Sequence, residues 1–180
     1  MEAVKLEGGR EVASTVRAIV DAGIPVMGHL SLTPQSVSKL GGYRVQGKTA
    51  AEAQRLLDDA LTLQAAGCYA VVLEAIPAPV AEVVSQRLQI PTIGIGAGPG
   101  CDGQVLVYHD VLTLFDGFVA KFVKQYANVG DLIRQALIDY QEEVRNGRFP
   151  AAAHIYRMPD EELELFLRAV QATAATVGNR

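Results

Sequence analysis

The 180-residue chain has no tryptophan, and only 6% of its residues are aromatic. Valine, leucine, isoleucine and alanine must therefore fill whatever core it builds. It has two cysteines, Cys68 and Cys101, in neither a CxxC pair nor a zinc-ligand spacing, which excludes a disulfide framework and points to a reduced, cytoplasmic setting. It has no run of Lys or Arg and a net charge of −4, which argues against a nucleic-acid partner. No apolar stretch reaches the roughly 20 residues of a membrane span. The N-terminus lacks the basic-then-apolar pattern of a signal peptide. What the chain does have is 49% hydrophobic residues against 20% charged, enough apolar side chain for one domain of ordinary size.

Short apolar runs alternate with helical patterns along the chain, the mark of βαβ units on a parallel sheet. Strands are expected at Ala3–Glu7, Pro25–Leu30, Tyr69–Ile76 and Pro91–Gly96, with a further one near Phe118–Phe122. Val71-Val72-Leu73 is apolar without alternation, as for a strand covered on both faces. A helix from Glu11 to Ala22 turns Val12, Val16, Ile19 and Val20 to one side. Thr49 with Glu52 forms a capping box, opening a helix to Ala66 whose stripe is Ala53, Leu56, Leu57, Ala60 and Leu61. A short helix follows Pro79. Longer ones are expected over Val129–Arg145 and from Asp160, the latter fraying from Thr173. The polar, glycine-containing stretch Leu32–Lys48 is long for a loop without a task. An open doubly wound sheet and part of a barrel both fit this alternation, and periodicity does not separate them.

In parallel α/β folds, function gathers at the C-terminal ends of the strands. Lys5 and Glu7 close the first strand, two apart and so on one face, opposite Val4 and Leu6. They read either as site residues or as an internal ion pair that ties strands together. His29 ends the second strand, as a satisfied core histidine or as a pocket residue. Glu74 ends the third, after three aliphatic residues. Desolvation disfavours the charged form of a carboxylate in such surroundings, which suits a general base; the alternative is a carboxylate paired with a cation. The Gly94–Gly103 loop lacks the Gly-Lys-Ser/Thr ending of a P-loop and reads as turn geometry or a close approach to substrate. Asp102 and Asp110 read as solvated or capping residues, and Cys68 as core.

Several motifs, in order, resemble those of ketopantoate hydroxymethyltransferase. They are Val4-Lys-Leu-Glu-Gly-Gly9, Pro25-Val-Met-Gly-His-Leu30, Leu32-Thr-Pro-Gln-Ser36, Gly41-Gly-Tyr-Arg-Val-Gln-Gly47, Val72-Leu-Glu-Ala-Ile-Pro77 and Ile93-Gly-Ile-Gly-Ala-Gly98. Asp102-Gly-Gln104, His109-Asp110 and Lys121-Phe122 extend the likeness, which covers about residues 3–154. It implies a (β/α)8 TIM barrel of the phosphoenolpyruvate/pyruvate superfamily, of which residues 1–155 would form the C-terminal part and 156–180 a helical extension. It implies Mg2+, a 2-oxo acid (3-methyl-2-oxobutanoate) as acceptor, 5,10-methylenetetrahydrofolate as donor, and a homo-oligomer. Glu7 then matches a metal-site carboxylate, Lys5 a substrate-binding lysine, Glu74 the proton acceptor and His29 a polar residue of the substrate pocket. Members of that family carry a long segment before the Val-Lys-Leu-Glu strand, with three strands and two metal-binding aspartates. The chain is thus expected to be N-terminally truncated, and Glu7 alone to be a poor Mg2+ site. An inactive remnant and an isocitrate-lyase-like enzyme of the same superfamily are the alternatives.

Overall fold

The computed structural model describes residues 2–31 and 45–177. The Leu32–Ser36 motif, the Gly41–Arg44 part of the next and the last three residues lie outside them. Two compact units divide the chain, Met1–Val129 and Gly130–Arg180.

The first unit is a five-stranded parallel sheet in the order β1-β2-β3-β4-β5. The strands are β1 (Val4–Glu7), β2 (Val26–Ser31), β3 (Ala70–Glu74), β4 (Thr92–Ile95) and β5 (Gly103–Gln104). Spatial order equals chain order, with no reversal among these strands; a doubly wound sheet reverses at its switch point. Between the strands lie α1 (Ala13–Asp21), entered through a 3-10 turn at Arg10–Val12, α2 (Ala50–Ala65) and α3 (Ala78–Arg87). α1 contacts α2 and α2 contacts α3, so the helices form one layer.

The core lies between that layer and the sheet. Val26 and Leu30 of β2 and Val71 and Leu73 of β3 face Val16 of α1, Leu56, Ala60 and Leu63 of α2, and Ala81 and Val84 of α3. Val4 and Leu6 pack against the same cluster, which leaves Lys5 and Glu7 on the opposite face. Gly28 is small for a reason: a Cβ there would stand 2.9 Å from Cδ1 of Leu63. β2 thus lies close against α2 at that point.

Thr49 caps α2 as its pattern predicts, accepting from the Glu52 N–H while the Glu52 carboxylate reaches back to the Thr49 N–H. The expected stripe is corrected in one place. Leu63 is fully buried and Leu61 is 38% exposed, because the helix meets the sheet along Leu56, Ala60 and Leu63, an i, i+4, i+7 line. The strand expected at Phe118–Phe122 does not form. The fifth strand is instead the two-residue Gly103–Gln104, continued by the Val105 N–H to the Gly94 carbonyl. Phe122 packs over the bare Cα of Gly96, a contact that no local pattern encodes. A four-residue helix, α4 (Tyr108–Val111), forms before Phe122 in the chain.

The second unit carries α5 (Val129–Arg145, its first residue shared with the first unit) and α6 (Asp160–Val177). α6 continues through Thr173–Val177, where fraying was expected. No residue of α5 is buried. Its apolar stripe is in the open, with Leu132 70% and Leu137 62% exposed. Helical spacing tells which residues share a face, not whether anything covers it. Tyr140 meets Phe149 edge-on at 5.4 Å, and Phe149 meets His154 at 5.2 Å.

Candidate active site

The candidate residues stand on the face of the sheet turned away from the helices: Glu7 and Glu74 close their strands, His29 lies two residues before the end of β2, and Lys5 is the second residue of β1. β2 lies between β1 and β3, and the register sets Glu7 level with His29, and Ser31 level with Glu74. Each of the first four strands ends at, or is followed by, a residue of positive φ: Gly8 (127°), Ser31 (84°), Ala75 (52°) and Gly96 (66°). Two of these are not glycine. Left-handed backbone costs such residues roughly 1–2 kcal/mol, and both lie within one residue of the level of Glu74.

His29 joins the strands. Its ring is 2% exposed. Nε2 is 3.0 Å from Oε2 of Glu74, and Nδ1 is 3.7 Å from Oε1 of Glu7. Its carbonyl accepts from the Gly8 N–H at 3.1 Å. The structure therefore brings together three of the four residues singled out by sequence. Lys5 lies on the same face, level with Met27, and is exposed. It forms no ion pair with Glu7 among the described residues, so the internal Lys–Glu tie is not made. Glu74 does not sit in a purely apolar pocket, because a buried imidazole is its neighbour.

Beside Glu7 opens a cleft of about 520 Å³. One wall is Gly8, Gly9 and Glu11; another is Glu52, Arg55 and Asp59 of α2; Ser31 and Gly47 also line it. Glu11 accepts from the Gly9 N–H at 2.9 Å, and Asp59 pairs with Arg10 at 2.6 Å. Two of the cleft's carboxylates are thus engaged in holding its walls.

Sequence reasoning missed Ser31. Its hydroxyl is buried without a hydrogen-bond partner among the described residues on the rim of this cleft. The signal was the alternation Met27, His29, Ser31 on one face of a strand expected to stop at Leu30. It also missed Thr92, fully buried, whose N–H and hydroxyl both donate to Asp102, at 2.8 and 2.9 Å. Asp102 is thus a clamp across the glycine loop, not merely a solvated residue. Cys68 is core as expected, and burial pushes its thiol up from the usual range.

A family profile described as ketopantoate hydroxymethyltransferase matches residues 1–152. The chain belongs to that family. Three curated relatives carry the name 3-methyl-2-oxobutanoate hydroxymethyltransferase. The one from Nitratidesulfovibrio vulgaris (strain DP4) is 57% identical over 170 residues, which is 94% of this chain and 55% of the relative. That from Heliobacterium modesticaldum is 57% identical over 92% of this chain and 60% of its own length. That from Oleidesulfovibrio alaskensis is 59% identical over 90% and 56% respectively. The chain thus spans little more than half the length of the curated relatives it matches.

Among the described residues, no three His, Cys, Asp or Glu side chains group as ligands for a metal ion. The ring of His29 occupies the space between Glu7 and Glu74, so these two carboxylates do not converge on one cation. The described residues alone do not fit a complete Mg2+ site. No helix among them is long and apolar enough to cross a membrane.

Proposed function

We propose that this chain carries the proton-abstracting half of a ketopantoate hydroxymethyltransferase site, in which Glu74 is the general base. The observation that supports this most directly is the placement of Glu74. It closes β3 on the face away from the helices, with one carboxylate oxygen tied to a buried imidazole and the other without a hydrogen bond among the described residues.

The acceptor is 3-methyl-2-oxobutanoate, and its C3–H lies next to a ketone. Glu74 takes that proton. The C3 enolate carbon then bonds to the methylene carbon of 5,10-methylenetetrahydrofolate, both carbon–nitrogen bonds of that methylene break, water supplies the hydroxyl, and the C3 proton and the second water proton end on the two freed folate nitrogens. Lys5 neutralises the substrate carboxylate and aligns C3 with the base. His29 lies buried beside Glu74 and supports it from behind. Glu7 is the carboxylate that would be offered toward Mg2+, whose chemistry when bound is stabilisation of enolate charge. The closed (β/α)8 barrel, a homo-oligomeric state and a cytoplasmic location are parts of the same reading. Strand order equal to chain order and a single helical layer support the barrel, since both are how a (β/α)8 barrel winds.

Deuterium exchange at C3 of 3-methyl-2-oxobutanoate, with Mg2+ and without folate, tests the proton step by itself. The expected result is exchange above background that falls about 10²–10⁴-fold in Glu74→Gln, the range of general base catalysis. Exchange that survives Glu74→Gln removes Glu74 as the base. Folded protein with no exchange at all favours the inactive-remnant alternative.

A further inference from the structure

We propose that His29 is a positioning residue for Glu74: it acts through that carboxylate rather than on substrate, fixing Oε2 so that Oε1 is the oxygen that takes the proton. This rests on the reading of Glu74 as the base.

The first ground is burial. At 2% exposure the ring offers substrate almost no surface. The second is that each ring nitrogen already faces a carboxylate, Glu74 on one side and Glu7 on the other. The third is register. The Cα partner of His29 on β3 is Val72, and Glu74 is two residues further along. The Glu74 side chain must lean back along its strand to meet Nε2. The residue after it, Ala75, turns away at φ 52°, so the hydrogen bond to His29 is what holds the carboxylate over the sheet.

The protonation pattern follows from the partners. An ionised carboxylate only accepts hydrogen bonds, so Nε2 carries the proton and donates to Glu74. On the other side of the ring, Nδ1 is buried 3.7 Å from Glu7 and makes no hydrogen bond among the described residues, so the bond to Glu74 is the one that orients the ring. The backbone of His29 performs a related task. Its carbonyl receives the Gly8 N–H, which anchors the exit from Glu7. A single buried residue thus sets the placement of a carboxylate on each neighbouring strand.

Two measurements on the whole chain decide the matter. The first is the long-range ¹⁵N–¹H correlation spectrum of the imidazoles. An N–H at Nε2 of His29, whose resonance moves in Glu74→Gln, supports the proposal. A ring with no proton on Nε2, or one indifferent to Glu74→Gln, overturns it. The second is C3 exchange in His29→Leu, which removes the donor, and His29→Gln, which restores an N–H. Loss of alignment predicts that kcat for exchange falls about 10–100-fold in His29→Leu while KM stays within about 3-fold, with His29→Gln recovering much of the rate. A raised KM at unchanged kcat makes His29 a substrate contact and overturns the proposal. So does equal impairment of both variants, which is the signature of a merely structural histidine. Absence of exchange in the parent chain defeats the functional reading instead, and the tautomer measurement then decides the His29–Glu74 coupling alone.

Discussion

Thr92 and Asp102 hold each other across the Gly94–Gly103 loop. The Thr92 hydroxyl donates to the Asp102 carboxylate at 2.9 Å, lies 2.7 Å from the Ser85 hydroxyl, and is 3.3 Å from the Asp102 N–H. The start of β4, the loop that leaves it and α3 are joined through one buried oxygen.

This clamp has a pH signature. The Thr92 backbone N–H, and after it the Thr92 hydroxyl, favour ionised Asp102 and hold its carboxyl below the usual carboxylate range. A carboxyl depressed by folding stabilises the fold fully above its unfolded value, about 3.9, and ceases to do so as pH falls through the lower folded value. Urea midpoints taken over a series of acid pH values are expected to fall less steeply in Asp102→Ala than in the parent chain. Equal slopes would show that the clamp contributes nothing through its charge.

Gly98 is expected to resist any side chain. Its φ is +77°, and a Cβ there would stand 2.3 Å from the Cβ of Ala78. Gly23 has a similar φ of +82° with nothing within 4 Å. Gly23→Ala isolates the backbone cost, about 1–3 kcal/mol. Gly98→Ala adds the collision with α3. Denaturant unfolding of both variants should place Gly98→Ala clearly lower.

Leu63 and Leu61 separate the observed stripe of α2 from the one its sequence suggests. Leu63→Ala empties a fully buried position and is expected to cost about 2–5 kcal/mol. Leu61→Ala, at a partly exposed site, should cost on the order of 0.5 kcal/mol. Similar losses for the two would mean that α2 is rotated from the orientation described.

Ala75 stands at φ 52°, where glycine is at ease. Ala75→Gly relieves roughly 1–2 kcal/mol of left-handed strain and gives back about 0.4–1 kcal/mol through a freer unfolded chain. A net gain of roughly 0–1.6 kcal/mol is expected in denaturant unfolding, and a loss would show that the turn carries no strain.

Much of this architecture is readable without coordinates, because its elements announce themselves locally. The Thr49–Glu52 box, the apolar Val71-Val72-Leu73 run and the α5 spacing all lie within one element, and all three appear where expected. The positions of Glu7 and Glu74 at strand ends were readable for the same reason, whereas β2 runs two residues past His29 and Lys5 stands near the start of β1. What was not readable depends on partners distant in the chain. β5 exists because Gly103 meets Ile93. Leu63 is buried because the sheet passes beneath it. The contact of His29 with Glu74 spans 45 positions and arises from the register of β2 on β3. The alternation Met27, His29, Ser31 places Ser31 on the face of His29, but that its hydroxyl is buried depends on what packs over it in space.

The sheet whose spatial order equals its chain order also bears on how the molecule is made. Val4 pairs with Val26, and Val71 with Thr92, each about twenty residues on, whereas Met27 pairs with Ala70 about twice as far away. Doubling a loop adds only about 0.6 kcal/mol of closure entropy, so no pairing is prohibitively remote. Each strand emerging from the ribosome finds its neighbour already synthesised, and nothing made later has to be inserted between two strands already joined. Assembly from β1 to β5 can follow translation, and the β2–β3 closure, the longest of these three, is the step on which a slow folding phase should depend.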